Sequence, residues 1–301
     1  MVSPLRAPGA DVKEGDYILA VNHVPFEAGR SFYSYFENLA GRSVVLTVNS
    51  RNSTQGSRDV VVETIPGEGD LRYADWVRRN REYVAQKTGG SIGYVHLPDM
   101  GHRGLIQFNT WFYPQLDRQG MIVDERWNGG GNVSQMIVER LRRHILSFDR
   151  SRGGGTYPYP DRTLNGPFVV MVNEFAGSDG DIFPAAIQRE KLAPVLGKRS
   201  WGGVVGIRGD KAMVDGGMVT EPEFAWWEPK GGWTIENHGV DPEIVVDNMP
   251  GDVAKGVDVQ LDRAIEEVLR LQREHPAVVP EFGPVRQRTR EAFQGEMSGS
   301  R

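Results

Sequence analysis

The stretch that most constrains this chain is an apolar run, Phe168-Val169-Val170-Met171-Val172, followed at once by Asn173-Glu174-Phe175-Ala176-Gly177-Ser178-Asp179-Gly180-Asp181 and then by Ile182-Phe183-Pro184-Ala185-Ala186-Ile187. Five consecutive large apolar residues read as a strand buried on both faces, and the segment after Asp181 reads as the start of a helix. Ser178 therefore falls on a strand-to-helix turn between two glycines. Such a turn lifts a small hydroxyl clear of the backbone and aims the free N–H groups of the helix start at whatever lies beside it. Those groups can stabilise an oxyanion, which is what a serine nucleophile needs. A capped helix start, with Ser178 or Asp179 as N-cap, is the plain structural alternative.

Composition bounds the rest. The chain has 301 residues, enough for two domains, and is 39% hydrophobic and 25% charged, as ordinary globular proteins are. A net charge of −5 argues against nucleic acid as a partner. There is no cysteine, which removes disulfides, thiolate metal sites and a cysteine nucleophile. No apolar run approaches membrane-spanning length and no signal peptide follows Met1, so the expectation is a cytoplasmic protein without a membrane partner, a cofactor or a metal. The opening residues lead straight into what reads as the middle of a module, so the chain is expected to be the C-terminal part of something longer.

Along the chain, Gly15-Asp16-Tyr17-Ile18-Leu19-Ala20-Val21-Asn22, a helix expected over 31–40 and the β-branched strand Ser43-Val44-Val45-Leu46-Thr47-Val48 resemble the second half of a PDZ domain. PDZ domains bind extended peptides by strand addition. Residues 50–69 read as a linker with one strand, Val60–Thr64. A helix is expected over 70–87, a strand over 92–97, a helix over 104–116 and a strand over 120–124, which together make a βαβ unit. Three glycines, Gly129-Gly130-Gly131, follow the last strand and suit a backbone that approaches a ligand closely; no Gly-Lys-Ser/Thr follows them, so a phosphate loop is disfavoured. The next helix is expected to run out near Phe148-Asp149. Residues 223–227 and 233–237 read as a hairpin, and 258–274 as an amphipathic helix. Residues 276–301, rich in Pro, Gly and charge, read as a disordered tail. The expected domains are 1–66, a partial PDZ-like domain and linker, and 67–275, the catalytic domain.

Four segments in this order carry a further resemblance: Arg126-x-Asn128-Gly129-Gly130-Gly131, Gly177-Ser178-Asp179-Gly180-Asp181, Trp201-Gly202-Gly203-Val204-Val205-Gly206 and Glu236-Asn237-His238-Gly239-Val240-Asp241-Pro242. Over about residues 1–275 the chain resembles the core of the tricorn-type, tail-specific (C-terminal-processing) serine peptidases. The resemblance implies an α/β fold, a C-terminal αβ sandwich of the crotonase/Clp type preceded by the partial PDZ-like, β-rich domain. It implies Ser178 as nucleophile, the N–H groups of Gly131 and Asp179 as oxyanion hole, and Glu236 as the acid of a Ser-His-Ser-Glu tetrad. Asp149 falls where the family places an acid that reaches a neighbouring subunit and favours basic P1 side chains; an exposed helix-end aspartate is the alternative. Peptide substrates and a homo-oligomer, a hexamer, are implied as well.

The chain departs from the family at the general base, which the family draws from a Ser-His pair ahead of the PDZ. None of the six histidines, His23, His96, His102, His144, His238 and His275, follows a serine. His23 reads as a turn residue, His144 as helical, His275 as part of the tail and His96 as buried in a strand. His238 would share a face with Glu236 if that stretch were extended. Three functions are compatible with these residues: a serine peptidase core whose base comes from outside the chain, a non-catalytic peptide-binding module, and a crotonase-type acyl-CoA enzyme with the same two-amide device. No basic or adenine-binding patch supports the last.

Overall fold

The computed structural model describes residues 3–209 and 212–283, and the chain divides into two compact units, residues 1–80 and 81–301. In the first, β1 (Tyr17–Val21), β2 (Val24–Pro25), β3 (Ser43–Asn49) and β4 (Arg58–Glu63) form an antiparallel sheet in the order β2-β1-β3-β4. Alternation along β3 turns Val44, Leu46 and Val48 inward against Val60 and Val62 of β4 and against Val21, Ala10 and Tyr35. The helix expected over 31–40 is only a 3-10 turn, Phe32–Phe36. Ser34 bonds back through its hydroxyl to the Ser31 carbonyl at 2.7 Å, and Asn38 adopts a positive φ of 59°, so the chain leaves the helical path within about a turn. What holds the segment is packing: Phe32 stacks on Phe26 and meets Phe36 at a tilt, and Tyr35 accepts the Glu27 N–H at 2.8 Å.

Helix α1 (Gly69–Lys87) spans the division. The second unit is built on a parallel sheet in the order β13-β10-β9-β6-β5, from β5 (Ile92–His96), β6 (Gly120–Asp124), β9 (Phe168–Val172), β10 (Val195–Gly197) and β13 (Ile244–Val245). Every residue of β5, β6 and β9 is buried, because helices cover both faces. Val123, Phe168, Val170 and Val172 share a core with α2 (His102–Phe112), α3 (Ser134–Leu141) and α4 (Asp179–Arg189). α6 (Val259–Glu274) packs on β6 and β9, with Leu261, Ala264, Ile265 and Val268 inward. This is the αβ sandwich that the resemblance implies.

The connections differ from expectation in three places. α3 stops at Leu141, and residues 147–150 are a strand, β7 (Ser147–Arg150), paired antiparallel with β8 (Thr156–Tyr159). Gly153-Gly154-Gly155 supply the turn, with the Gly155 N–H on the Ser151 hydroxyl. His144 and Asp149 are accordingly not helical. The hairpin expected from 223–227 and 233–237 does not form: β12 (Glu221–Phe224) pairs instead with β11 (Gly206–Arg208). Between those two runs only Glu228 and Gly232 pair through their backbones, and the Trp226 indole N–H and the Thr234 hydroxyl both donate to the Glu228 carboxylate. A short helix, α5 (Pro250–Val253), precedes α6. His275 caps α6, and Val278 N–H pairs with Asn165 Oδ1 at 2.8 Å; residues 284–301, where most of the expected tail falls, lie outside the described residues.

Candidate active site

The parallel sheet delivers the candidate residues to one end. β6 ends in Asp124 and feeds the loop Glu125–Gly131; its neighbour β9 feeds the turn Asn173–Ser178. Ligand sites in open α/β sheets form at the carboxyl ends of strands. Ser178 is the N-cap of α4 with φ 58° and ψ −121°, a strained conformation for a residue with a Cβ. Its side chain makes no capping hydrogen bond, so the hydroxyl is not spent on the helix, in contrast to the capped-start alternative.

The glycine loop runs directly against this turn. A Cβ on Gly130 would lie 2.6 Å from the Ser178 Cβ, and one on Gly131 would lie 2.0 Å from the Met100 carbonyl oxygen. Met100 N–H donates to the Gly130 carbonyl, and the Met100 carbonyl accepts from Asn132 and Val133. The N–H groups of Gly131 and Asp179 have no acceptor among the described residues. One belongs to the glycine loop and the other to the residue after Ser178.

Three side chains that the sequence reading did not single out hold the two loops together. Asn128 is fully buried: its Nδ2 donates to the Leu97 carbonyl at 3.0 Å, its Oδ1 accepts the Gly130 N–H at 2.9 Å, and its backbone carbonyl accepts the Gly177 N–H at 3.0 Å. Asn173 Oδ1 accepts from the N–H groups of both Trp127 (2.9 Å) and Phe175 (3.2 Å). Ser134, the first residue of α3, donates its backbone N–H to Asp179 Oδ2 at 3.0 Å and its hydroxyl to Oδ1. For Asn173, directly after buried β9, the available signal was its place at a turn, where a side chain that satisfies turning backbone is favoured.

Glu236 lies on a different segment. Its Oε2 accepts the N–H groups of Val204 and Val205, each at 2.7 Å, while Oε1 has no partner among the described residues. The segment from Trp201 that Glu236 holds also meets the Ser178 turn: Trp201 N–H donates to the Ala176 carbonyl, and the indole covers Gly177, where a Cβ would lie 2.7 Å from the ring. Asp149 is exposed on β7, with backbone partner Tyr157 on β8.

None of the six histidines hydrogen-bonds to Ser178 or Glu236. His238 sits in a turn in which the Ile235 carbonyl accepts the Gly239 N–H, so it does not share an extended face with Glu236; its Nε2 lies 2.6 Å from Asp241 Oδ2. His96 is buried with Nε2 on the Arg126 carbonyl at 3.0 Å, and burial pulls its basicity down. His23 faces Asp59, and His144 the Arg142 carbonyl. Beneath the glycine loop Arg126, fully buried, grips Asp124 through Nε and Nη2 and Asp258 through Nη1 and Nη2, which ties β6 to the N-cap of α6. Burial alone would push the Asp124 carboxyl up, but the Arg126 guanidinium holds it below the usual carboxylate range. No helix among the described residues is long and apolar enough to cross a membrane, and no cluster of three or more metal-binding side chains occurs among them.

Comparison with known proteins accords with this arrangement. Residues 91–246 match the model of peptidase family S41, and residues 1–66 that of the tricorn protease PDZ domain. The chain is 39% identical to the tricorn protease of Thermoplasma volcanium over 89% of its length and 42% identical to tricorn protease homolog 1 of Streptomyces coelicolor over 92%. It superposes on the crystal structure of the tricorn protease with a TM-score of 0.83 at 36% identity, over 90% of this chain. In each case it spans about a quarter (26%) of the relative's length. The chain belongs to peptidase family S41 and carries, over residues 1–66, a PDZ domain of the tricorn type.

Proposed function

We propose that this chain supplies the nucleophile and the oxyanion site of a serine peptidase, and that its general base comes from outside residues 1–301. Ser178 Oγ attacks a peptide carbonyl carbon as its proton passes to that base. The carbonyl oxygen takes up the charge between the N–H groups of Gly131 and Asp179. Collapse breaks the C–N bond, the base returns the proton to the leaving amine, and water then hydrolyses the acyl-enzyme by the same route. Glu236 keeps Oε2 on the amides of Val204 and Val205 and offers Oε1 to the serine that orients the incoming histidine. Asp149 takes the basic P1 side chain in a neighbouring subunit of a homo-oligomer, a hexamer as in the family resemblance.

The observation that carries this reading is the pair of unspent backbone N–H groups flanking a strained, uncapped serine. Two such donors suit a developing oxyanion, and each is worth about 10²–10³ in rate. The test is fluorophosphonate labelling together with peptide hydrolysis by a longer form of the protein that includes a Ser-His pair. Labelling at Ser178, with hydrolysis lost in Ser178→Ala at unchanged thermal stability, is the expected result. No labelling and unchanged binding of peptides would establish the non-catalytic alternative in its place.

A further inference from the structure

The stretch that carries the Gly131 N–H leans on one turn, residues 97–101, between β5 and α2. The Leu97 carbonyl accepts Asn128 Nδ2 at 3.0 Å, and the Pro98 carbonyl accepts the Gly129 N–H at 3.3 Å. Met100, fully buried, makes three further bonds to the loop. Its N–H donates to the Gly130 carbonyl at 2.8 Å, and its carbonyl accepts the N–H groups of Asn132 at 2.7 Å and Val133 at 3.0 Å. Met100 and Gly131 pair as an isolated parallel bridge. The bonds on both sides of Gly131 thus end on one residue.

What fixes Met100 is not the sheet, since β5 ends at His96, and Pro98 has no N–H to give. The fixing group is the side chain of Asp99. Its Oδ1 accepts the Gly101 N–H at 2.8 Å and the Gly104 N–H at 2.9 Å. The first bond closes an Asx turn around Met100. The second ties that turn to the first turn of α2, whose N-cap, Gly101, has no side chain to cap it. The turn and the helix are in close contact: a Cβ on Gly104 would lie 1.7 Å from the Asp99 carbonyl oxygen. On its other side, a Cβ on Gly131 would meet both the Met100 carbonyl and, at 2.8 Å, the Gly101 nitrogen. The turn is held between the start of α2 and the glycine loop, so a shift of one is passed to the other.

We propose that Asp99 is a positioning residue for the oxyanion loop. By closing the turn around Met100, its Oδ1 sets where Met100 holds residues 130–133, and so where the Gly131 N–H stands relative to Ser178. Asp99 acts only through Met100; among the described residues its side chain bonds to Gly101 and Gly104 and to nothing in the loop. The catalytic consequence rests on Gly131 as an oxyanion donor, whereas the hold of Asp99 on the loop does not. The rival is an α2 cap and nothing more, and the two differ in which amides a lost bond disturbs.

The experiment compares Asp99→Ala with Asp99→Asn, whose amide oxygen can accept the same two bonds. In the 301-residue chain, residue-resolved amide exchange is measured, with the amides of β6 as the reference for global opening. Asp99→Ala should accelerate exchange of the Asn132 and Val133 amides about 2- to 30-fold relative to β6, the factor that loss of a side-chain cap carries. Asp99→Asn should stay within about twofold of the wild type, because Asn and Asp are equivalent as caps. In a longer form with a Ser-His pair, Asp99→Ala should lower kcat and the rate of fluorophosphonate labelling at Ser178, with KM and labelling stoichiometry unchanged. The loss is bounded by the factor of about 10²–10³ that an oxyanion donor contributes, and Asp99→Asn should restore both rates. A merely structural role would lower the labelled fraction rather than the rate. Should Asp99→Ala not fold, Asp99→Glu, which moves the acceptor by one methylene, should produce the same acceleration and the same loss. Acceleration confined to α2, an Asn variant as impaired as the Ala variant, or unchanged kcat and labelling rate despite faster exchange at Asn132 and Val133 each overturns the proposal. If the wild type is not labelled, the peptidase reading fails by itself, and exchange at Asn132 and Val133 alone decides whether Asp99 holds the loop.

Discussion

Gly130 and Gly131 each exclude a side chain, against different neighbours. Gly130 has φ 84°, and its missing Cβ would press on the Ser178 side chain; Gly131 has φ 151°, and its Cβ would overlap the Met100 carbonyl that fixes the loop to the strand before it. Gly131→Ala should therefore cost on the order of 1–3 kcal/mol in urea unfolding and also abolish Ser178 labelling, as for an overpacked site. Gly130→Ala should lower stability as well, because a Cβ at φ 84° is strained and would lie 2.8 Å from the Gly177 carbonyl oxygen, and its contact with Ser178 should also reduce labelling. Equal, small effects of both on stability and none on labelling would show that the loop is remote from the chemistry. Asp149 is the opposite kind of residue, exposed on β7 with no side-chain partner required by the fold. Asp149→Ala in a hydrolysing form should lower kcat/KM for Lys and Arg at P1 while leaving stability and cleavage after apolar residues within experimental error. An equal loss for both substrate classes would make it structural.

At the level of elements, the junction of α3 with α4 is the least local feature of the site. α3 has only eight residues, and its N-cap, Val133, has no side chain that can cap it. Asp179, 45 residues on, does the capping by accepting from Ser134. A carboxylate at a helix N-terminus is favoured by the free amides and the helix dipole together. Ser134→Ala should cost about 1 kcal/mol, and a double-mutant cycle with Asp179→Asn should return a coupling of about 0.5–3 kcal/mol; additivity would mean that the cap contributes nothing. Such a contact has no signature in local sequence. What was legible is what short-range physics writes: the apolar runs of β6 and β9, the glycines at the turns, and the amphipathic α6, each fixed by its own residues. What was not legible was set by distant partners. The 31–40 segment became a 3-10 turn because aromatic packing and Ser34 outweighed helical periodicity. The Trp-rich runs near 226 and 233 meet through Glu228, and β11–β12 pair across residues that propensity alone leaves unassigned. Of the candidate site, the Ser178 turn and the triple-glycine loop could be read from their own residues, whereas the bonds that Asn128 and Asn173 make became visible only when strands separated in sequence were placed side by side.

For the molecule as a whole the decisive quantity is the number of imidazoles that can reach Ser178. Six are present and each is engaged or placed elsewhere: His238 with Asp241, His96 with the Arg126 carbonyl, His23 with Asp59, His144 with a local carbonyl, His275 at the end of α6, and His102 at the start of α2. A serine hydroxyl without a base is a weak nucleophile, and base catalysis contributes about 10²–10⁴ in rate. The oxyanion donors do not depend on that base, so some residual acceleration should survive, as it does when triad members are removed from other hydrolases. The 301-residue chain by itself should hydrolyse peptides slower than a form supplied with a Ser-His segment by about that factor. Supplying the segment in trans should restore turnover, and the same addition to Glu236→Gln should restore much less, because the imidazole then has no carboxylate to orient it. The measurement is steady-state hydrolysis of fluorogenic peptides with and without the added segment. Rapid hydrolysis by the isolated chain, lost in His238→Ala and untouched by Glu236→Gln, would mean that His238 leaves Asp241 to serve Ser178 and that the base belongs to this chain after all.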